Sequence, residues 1–266
     1  MRKEIIEVDS IVHVYNRGNR KQEIVRDEHD RWRFLQLLYY FNSQESSQHM
    51  LRELKITLGL KSHKKLIWPK EWPKRNKLVE ILGFVLRKNH YHLILKEIKK
   101  GGIATFMQKF GTAVTMYFNT KYKEVGRLFQ GPYKFKCVKS DHYLTCLISY
   151  INIKNIFELY PGGIEKAMKK YNEAFEFACN YEYGSLKAYA FPESETAKII
   201  DKDALLEILG ESTGIFSNIE NFKKMAMKNI ELLDFDESAL DLTLSRPGLD
   251  NLAGSPPAGG DPANGL

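Results

Sequence analysis

Two histidines separated by one residue are the first feature of the sequence that could do chemistry. They are His90 and His92, within the segment GFVLRKNHYHLIL at residues 83–95. Side chains alternate between the two faces of a β-strand, so both imidazoles are expected on one face, with Tyr91 and Leu93 on the other. Imidazole is a common metal ligand, and the pair therefore predicts a metal site. The pair alone leaves chance occurrence in a strand as the alternative.

A tyrosine near the end of an amphipathic segment is the second feature. The segment SDHYLTCLISYINIKN, residues 140–155, has an apolar stripe at helical spacing. Tyr150 falls at the edge of that stripe, on the side shared with Tyr143 and Lys154. A tyrosine there can keep its ring packed while its hydroxyl faces a cleft. The alternative is an ordinary core tyrosine.

Two polar, cationic segments could contact nucleic acid. In VYNRGNRKQ, residues 14–22, Gly18 suits a tight turn after a strand. In GRLFQGPYKFK, residues 126–136, aromatic residues alternate with cations, a pattern suited to stacking on unpaired bases. The candidates for contacts with phosphates and base edges are Arg17, Asn19, Arg20, Lys21, Arg127 and Gln130. A solvated turn and an ordinary edge strand are the alternatives.

The charge distribution separates a basic body from an acidic end. Residues 1–192 contain 34 Lys and Arg against 19 Asp and Glu, whereas residues 193–266 contain 6 against 14. A basic body favours polyanionic partners. The three cysteines have no paired spacing, which argues against a disulfide framework or a zinc knuckle. No apolar run is long enough to cross a membrane, so we expect a cytoplasmic protein.

The elements that must position these residues follow from the hydrophobic pattern. Strands are expected at 11–16, within 78–96 and at 133–138, and helices at 27–41, 43–60, 102–122 and 140–157. This order predicts an α+β fold, a ferredoxin-like split βαβ antiparallel sheet with helices on one face. We expect a catalytic domain at 1–160 with an insertion at about 43–77. A helical extension would follow at 161–240, with a docked helix within 164–190, and then a disordered tail at 241–266.

Together, in this order, the four segments resemble the REP-associated tyrosine transposases, a branch of the insertion-sequence-200-like, single-tyrosine HUH transposases. VYNRGNRKQ is similar to the family's opening strand and Arg-Gly-Asn turn, and NHYHLIL to its metal-binding strand. GRLFQGPYKFK resembles its Gly-x-Leu-(aromatic)-Gln-Gly segment, and DHYLTCLISYINIKN the helix bearing its catalytic tyrosine. The resemblance covers roughly residues 8–160.

The resemblance implies roles for individual residues. His90 and His92 would ligate Mg²⁺ or Mn²⁺, and Tyr150 would attack the scissile phosphate. The family often has an amide four residues after the tyrosine as third ligand, but here that position is Lys154, whose ammonium cannot ligate a hard cation. Lys154 could instead hold the phosphate. Asn155, which replaces the usual proline, is the candidate third ligand, although in a continuing α-helix its side chain would point elsewhere.

The resemblance also implies a reaction and a partner. Attack by Tyr150 would leave a 5′-phosphotyrosine and a free 3′-OH in single-stranded DNA adjoining a short hairpin, with no nucleotide cofactor. Two alternatives stay open, a domesticated hairpin-binding protein that does not cleave and a metal-dependent nuclease that uses water. No membrane partner is expected, and a homodimer is left open.

Overall fold

Four strands form one antiparallel sheet in the computed structural model, which describes residues 4–45, 64–209 and 218–232. The strands are β1 (Ile11–Arg17), β2 (Val79–Leu86), β3 (His90–Glu97) and β4 (Lys134–Cys137). Their order across the sheet is β2-β3-β1-β4, and every neighbouring pair is antiparallel. The predicted α+β class and its split βαβ sheet are therefore confirmed.

Among the described residues, three α-helices accompany the strands and five more follow them. The first three are α1 (Glu28–Phe41), α2 (Gly102–Tyr122) and α3 (Asp141–Ser149). After α3 the chain continues through a π-helical turn, Tyr150–Lys154, and a last turn, Asn155–Phe157. The remaining helices are α4 (Gly163–Lys169), α5 (Tyr171–Asn180), α6 (Ser185–Ala190), α7 (Lys202–Leu209) and α8 (Ile219–Leu232). Within the described residues, no helix is both long and apolar enough to span a membrane.

Helices cover both faces of the sheet, whereas the sequence predicted them on one. On one face, α1 and α2 pack against the alternate residues Tyr91, Leu93 and Leu95 of β3. On the other, α3 and the C-terminal helices pack against residues that include Ile94, with Leu82 and Val85 from β2. The central strands are apolar on both faces, so each face needs a covering layer to exclude water.

Local sequence signals account for where the helices begin. The side chain of Asp27 accepts a hydrogen bond from the backbone N–H of Asp30, and the backbone N–H of Asp27 donates to the Asp30 side chain, which forms a capping box before α1. The side chain of Ser140 accepts from the backbone N–H of Tyr143 and caps α3, at the start of the helix predicted over 140–157. The tyrosine-bearing helix therefore begins where expected and differs only in the π-helical turn within it.

Other sequence expectations need correction. The long strand expected within 78–96 is a hairpin of β2 and β3. The single docked helix expected within 164–190 is three helices, because the chain leaves helical geometry after Asn180 and Gly184 forms a β-bridge with Val85. The helix expected at 43–60 falls mostly outside the described residues, as does the tail at 241–266.

Candidate active site

His90 and His92 lie on the same face of β3, as the alternation predicted. Their rings are 5.4 Å apart between centroids and nearly perpendicular. In the register with β1, His90 is opposite Arg17 and His92 is opposite Tyr15. Both histidines are buried, at 8% and 6% exposure. A sheet strand therefore brings two imidazoles together in a place largely closed to water.

A third histidine, which the sequence reasoning missed, orients the second. His13 Nε2 lies 2.9 Å from His92 Nδ1, and the two rings stack at 5.2 Å. Burial, and then the charge of Lys136, lowers the pKa of His13 to about 3. Burial, followed by the neighbouring His13 and His90, also holds the pKa of His92 well below its usual value. Both rings are therefore neutral, the form in which imidazole ligates a metal.

The second ring nitrogen of His92, Nε2, takes no part in the contact with His13. His92 Nε2 is buried and has no hydrogen-bond partner among the described residues. When His92 donates its Nδ1 proton to His13, Nε2 carries a lone pair, which is the usual arrangement of a metal-ligating histidine with a partner behind it. His13 was detectable in principle, because it shares the parity of Tyr15 and Arg17 on β1 and so faces the same way.

Asn155 is the third residue at the site, and the π-helical turn brings it there. Its Oδ1 lies 3.4 Å from His90 Nε2, and its Nδ2 donates to the Tyr150 carbonyl oxygen at 3.1 Å. Its backbone N–H also bonds to that carbonyl, five residues earlier. A π turn closes its hydrogen bond at i+5, so Asn155 occupies the place that residue i+4 has in an α-helix. In the unbroken α-helix that the sequence predicted, this amide would point away from the site, and the π-helical turn is what changes its direction.

The opposite ring nitrogen of His90 is also engaged. His90 Nδ1 is 2.7 Å from Asn89 Oδ1, so a ring protonated at Nδ1 donates there and directs the Nε2 lone pair toward Asn155 Oδ1. Two neutral imidazoles and one amide oxygen fit a divalent cation. Within the described residues no cluster of three or more His, Cys, Asp or Glu is arranged for a metal, so this mixed set is the candidate.

Tyr150 lies beside the histidines. Its ring meets that of His92 edge to face, with centroids 5.4 Å apart, and the residue is only 2% exposed. The ammonium of Lys154 lies 5.2 Å from the centre of the same ring and pairs with Glu158 at 2.9 Å. Arg87 contacts the same glutamate at 2.9 Å and also the Asn155 carbonyl oxygen. Lys154 thus lies on Tyr150's side, as predicted, but its charge is already paired.

The other tyrosines near these segments are placed differently. Tyr143 is buried on α3, and Lys136 lies 5.7 Å from its ring centre. Tyr133 lines a cavity on the opposite face of the sheet, with Tyr91. Of these three candidates only Tyr150 has a ring contact with a histidine of the site among the contacts described.

The two cationic segments meet at one end of the sheet. Gly18 and Phe129 form a β-bridge, Asn19 N–H donates to the Leu128 carbonyl at 2.8 Å, and Gln130 N–H donates to the Arg17 carbonyl at 3.0 Å. Five of the predicted contact residues, which lie in or beside these paired segments, have exposed side chains: Asn19, Arg20, Lys21, Arg127 and Gln130. The structure therefore brings the predicted DNA-contact residues of both segments into one surface, which we call the Arg17 edge.

Gly18 is required there for a different reason from the one the sequence indicated. Its φ is −58°, which any residue can adopt. A Cβ on Gly18 would lie 2.1 Å from the Gln22 carbonyl oxygen, so the close approach of the chain to itself excludes a side chain. The positive φ values of the turn belong to Arg20 and Lys21 instead.

A line of cations leads from the Arg17 edge past the histidines. In the register between β1 and β4, Lys134 is opposite Tyr15 and Lys136 is opposite His13. Paired residues of an antiparallel sheet share a face, so both lysines lie on the histidine face with Arg17. Phe135 between them packs toward the opposite core. The edge-strand interpretation of this segment and the DNA-contact interpretation are thus both compatible with its geometry.

Comparison with known proteins found one family model that matches part of the chain and one similar solved structure. Residues 65–154, about a third of the chain, match the family model described as Transposase IS200 like. A solved structure described as a REP-associated tyrosine transposase bound to a REP hairpin is similar to this chain, with a TM-score of 0.39 and 10% sequence identity. The similarity covers 70% of this chain and 81% of that one. No curated protein matches the chain in sequence.

Proposed function

We propose that this chain, which matches the IS200-like transposase model over residues 65–154, is a transposase that cleaves and rejoins single-stranded DNA beside short hairpins. The observation that carries the proposal is the convergence of Tyr150 with His90, His92 and Asn155. These residues come from β3 and from the π-helical turn, which are far apart in sequence. Packing of two apolar surfaces does not by itself require three polar ligands and a tyrosine at their junction.

In this proposal Tyr150 is the nucleophile. Its oxygen forms a bond to the phosphorus of one phosphodiester, and the bond from phosphorus to the 3′ oxygen breaks. The electron pair of the broken bond stays on the 3′ oxygen, which takes up a proton, while the tyrosine hydroxyl loses its own. Since an unperturbed tyrosine has a pKa of about 10, that proton must leave as the attack proceeds. Reversal by an incoming 3′-OH reseals the strand.

The proposed ligands are His90, His92 and Asn155. A bound Mg²⁺ or Mn²⁺ supplies charge stabilisation at the non-bridging phosphate oxygens of the transition state. His13 keeps His92 in the tautomer that leaves Nε2 open, and Asn89 does the same for His90. The residues of this chain therefore hold the ligand atoms in position before DNA arrives.

The Arg17 edge and the two lysines of β4 form the proposed path of the DNA backbone. Arg17, Lys134 and Lys136 lie on the histidine face, so a strand that contacts them passes the candidate nucleophile. Phosphate contacts of this kind position a strand, whereas sequence is read at base edges. Asn19 and Gln130 at the Arg17 edge have the side-chain chemistry for base edges.

The burial of Tyr150 adds a requirement. At 2% exposure its hydroxyl cannot meet a DNA phosphate unless the segment carrying it shifts relative to the sheet. The ion pair between Lys154 and Glu158 lies on the same segment and is the contact that a phosphate would replace. This burial also favours a second candidate function, hairpin binding without cleavage, in which Tyr150 is only a packed side chain.

A covalent-adduct assay tests the proposal. The protein is incubated with Mn²⁺ and a labelled oligonucleotide that carries a hairpin and a single-stranded tail, and the adduct is resolved under denaturing conditions. Wild type should form a 5′-phosphotyrosine adduct, and Tyr150→Phe, which removes one oxygen and keeps the ring, should form none while still binding the DNA. Tyr143→Phe on the same helix is the matched control and should form the adduct.

The other outcomes identify the alternatives. Cleavage without an adduct would indicate a nuclease that uses water. Tight hairpin binding with neither cleavage nor adduct would indicate the binding protein. An adduct that persists in Tyr150→Phe and disappears in Tyr143→Phe would show that the nucleophile is Tyr143, which lies two helical turns before Tyr150.

A further inference from the structure

A cavity lies on the face of the sheet opposite the histidines. Its volume is about 620 Å³, within the range of sites that bind small organic molecules. One wall is the outer side of α2, with Gly111, Thr112 and Met116, and the other is the segment from Gly126 to Tyr133. The floor includes Tyr91, whose neighbours on β3 are the two candidate metal ligands. The cavity and the candidate active site are thus on opposite faces of the same strand.

A glycine keeps this cavity open. Gly111 is near the middle of the 21-residue helix α2, where glycine is less favourable than alanine by about 1 kcal/mol. A Cβ built on Gly111 meets no atom within 4 Å, so close packing does not exclude a side chain there. Its φ is not in the left-handed region. The effect of having glycine at position 111 is therefore to leave this part of the cavity unfilled by a side chain.

The chemistry of the walls fits a flat heterocycle. The lining is mainly apolar and contains the rings of Phe129 and Tyr133, while Thr112 and Gln108 add polar groups. Nucleobases combine two apolar faces with hydrogen-bonding edges and stack on aromatic side chains. The cavity offers both kinds of contact side by side.

The position of the cavity connects it to the proposed DNA path. Arg127 lines it and has an exposed side chain. Leu128 and Phe129, also lining residues, are the residues that bond to Asn19 and Gly18 at the Arg17 edge. The cavity is therefore continuous with the surface that carries Arg17, Arg20 and Lys21. Because cations are in excess on this surface, a strand of nucleic acid is favoured as the occupant of the cavity over an apolar protein segment.

From these observations we propose that the cavity between α2 and residues 126–133 receives one unpaired nucleobase of the DNA strand, on the face of the sheet opposite Tyr150. This inference rests on the proposed function, since it takes DNA as the partner. It assigns a base-binding role to Gly111, Phe129 and Tyr133. Arg127 would hold the adjoining phosphate.

The test combines a filled cavity with a missing base. Affinity is measured for a hairpin oligonucleotide with an intact single-stranded tail and for a series with one abasic position each. For wild type, one abasic position should weaken binding by about 5- to 150-fold, the range expected for one stacked base. Gly111→Phe, which fills the cavity, should show a loss of similar size on the intact tail and little further loss at that abasic position.

Two controls separate a filled cavity from a damaged protein. Thr120→Phe adds the same ring at an exposed position of α2 that does not line the cavity, and it should stay within about twofold of wild type. Thermal unfolding shows whether Gly111→Phe is folded, and Tyr133→Leu, which removes a wall ring while keeping apolar volume, provides an independent variant with the same expected loss. Unchanged affinity of both variants on the intact tail would overturn the proposal.

The remaining outcomes are also decisive. If the variants weaken binding equally at every abasic position, they do not act through a base and the proposal is overturned. If Gly111→Phe changes the sedimentation of the protein but not its DNA affinity, the occupant is a second copy of this chain instead. Adduct formation by wild type reports separately on the proposed function, so an adduct with unaffected cavity variants would refute only the base-binding cavity.

Discussion

Replacement of His13 by phenylalanine gives the sharpest test of the candidate metal site. His13 does not belong to the proposed ligand set, and its polar contact with that set is the hydrogen bond to His92 Nδ1 at 2.9 Å. Phenylalanine keeps a ring of similar size, so the stacking of His13 on Tyr15 at 4.9 Å and on His92 at 5.2 Å is retained. The substitution therefore removes one hydrogen bond while preserving the packing.

The expected magnitude has two parts. Loss of a partner behind a metal-ligating histidine typically lowers metal affinity by about 10- to 100-fold. His13 is 3% exposed and His92 6% exposed, so no water replaces the lost partner, and a buried nitrogen is left unsatisfied. That costs about 1–3 kcal/mol in the free energy of unfolding. We expect His13→Phe to be folded, less stable by that amount, and weaker in Mn²⁺ binding by one to two orders of magnitude.

Titration of the protein with Mn²⁺, followed by electron paramagnetic resonance without DNA, measures the affinity. Denaturant unfolding measures the stability. His142→Phe is the matched control, because His142 is an exposed histidine on α3 outside the proposed ligand set. A folded His13→Phe that binds Mn²⁺ as tightly as wild type would refute the assigned role of His92 Nε2. Equal losses in both variants would show that the effect is not specific to the site.

Three further predictions follow from other contacts. Asn155→Leu should weaken Mn²⁺ binding by about tenfold or more, whereas Lys154→Leu should not. The reverse would mean that the π-helical turn does not present the amide. Arg17→Ala should weaken hairpin binding by about 1–3 kcal/mol and relax preference at one base, and a loss uniform across sequences would make it a phosphate contact. Burial by itself raises the pKa of the Asp30 carboxyl group. Hydrogen bonds from Lys121, Tyr122 and the backbone of Arg26 lower this pKa by more, so the net pKa lies well below the usual value. Asp30→Asn should therefore be less stable than wild type at neutral pH, and this difference in the free energy of unfolding should shrink as the pH falls below 3.8. Denaturant unfolding at a series of pH values measures the difference. A difference that stays constant with pH would contradict the lowered pKa of Asp30.

Much of the sheet and part of the site could be predicted because they depend on local periodicity. The parity of a strand places His90 and His92 on one face before any partner strand is known. The cap at Ser140 likewise fixes where the tyrosine-bearing helix begins. These features depend on a few neighbouring residues, so the pattern in the chain carries them.

The rest depends on pairing and on helix geometry that no short pattern determines. His13 reaches His92 only because β1 lies beside β3, a contact across 79 residues. Asn155 reaches His90 only because the helix takes one extra residue per turn at Tyr150–Lys154. The covering of both sheet faces depends on how the C-terminal helices pack, which the alternation in the central strands does not specify.

The π-helical turn also makes the spacing between Tyr150 and its amide a poor guide to function. One extra residue in a helix advances every later side chain by about 100°. With the turn in place, the side chain beside His90 is the amide of Asn155, an oxygen donor suited to a hard cation. In an unbroken α-helix the i+4 position belongs to Lys154, whose ammonium would repel that cation. The same stretch of sequence can therefore present either a ligand or a repelling charge, and one hydrogen-bond register decides between them.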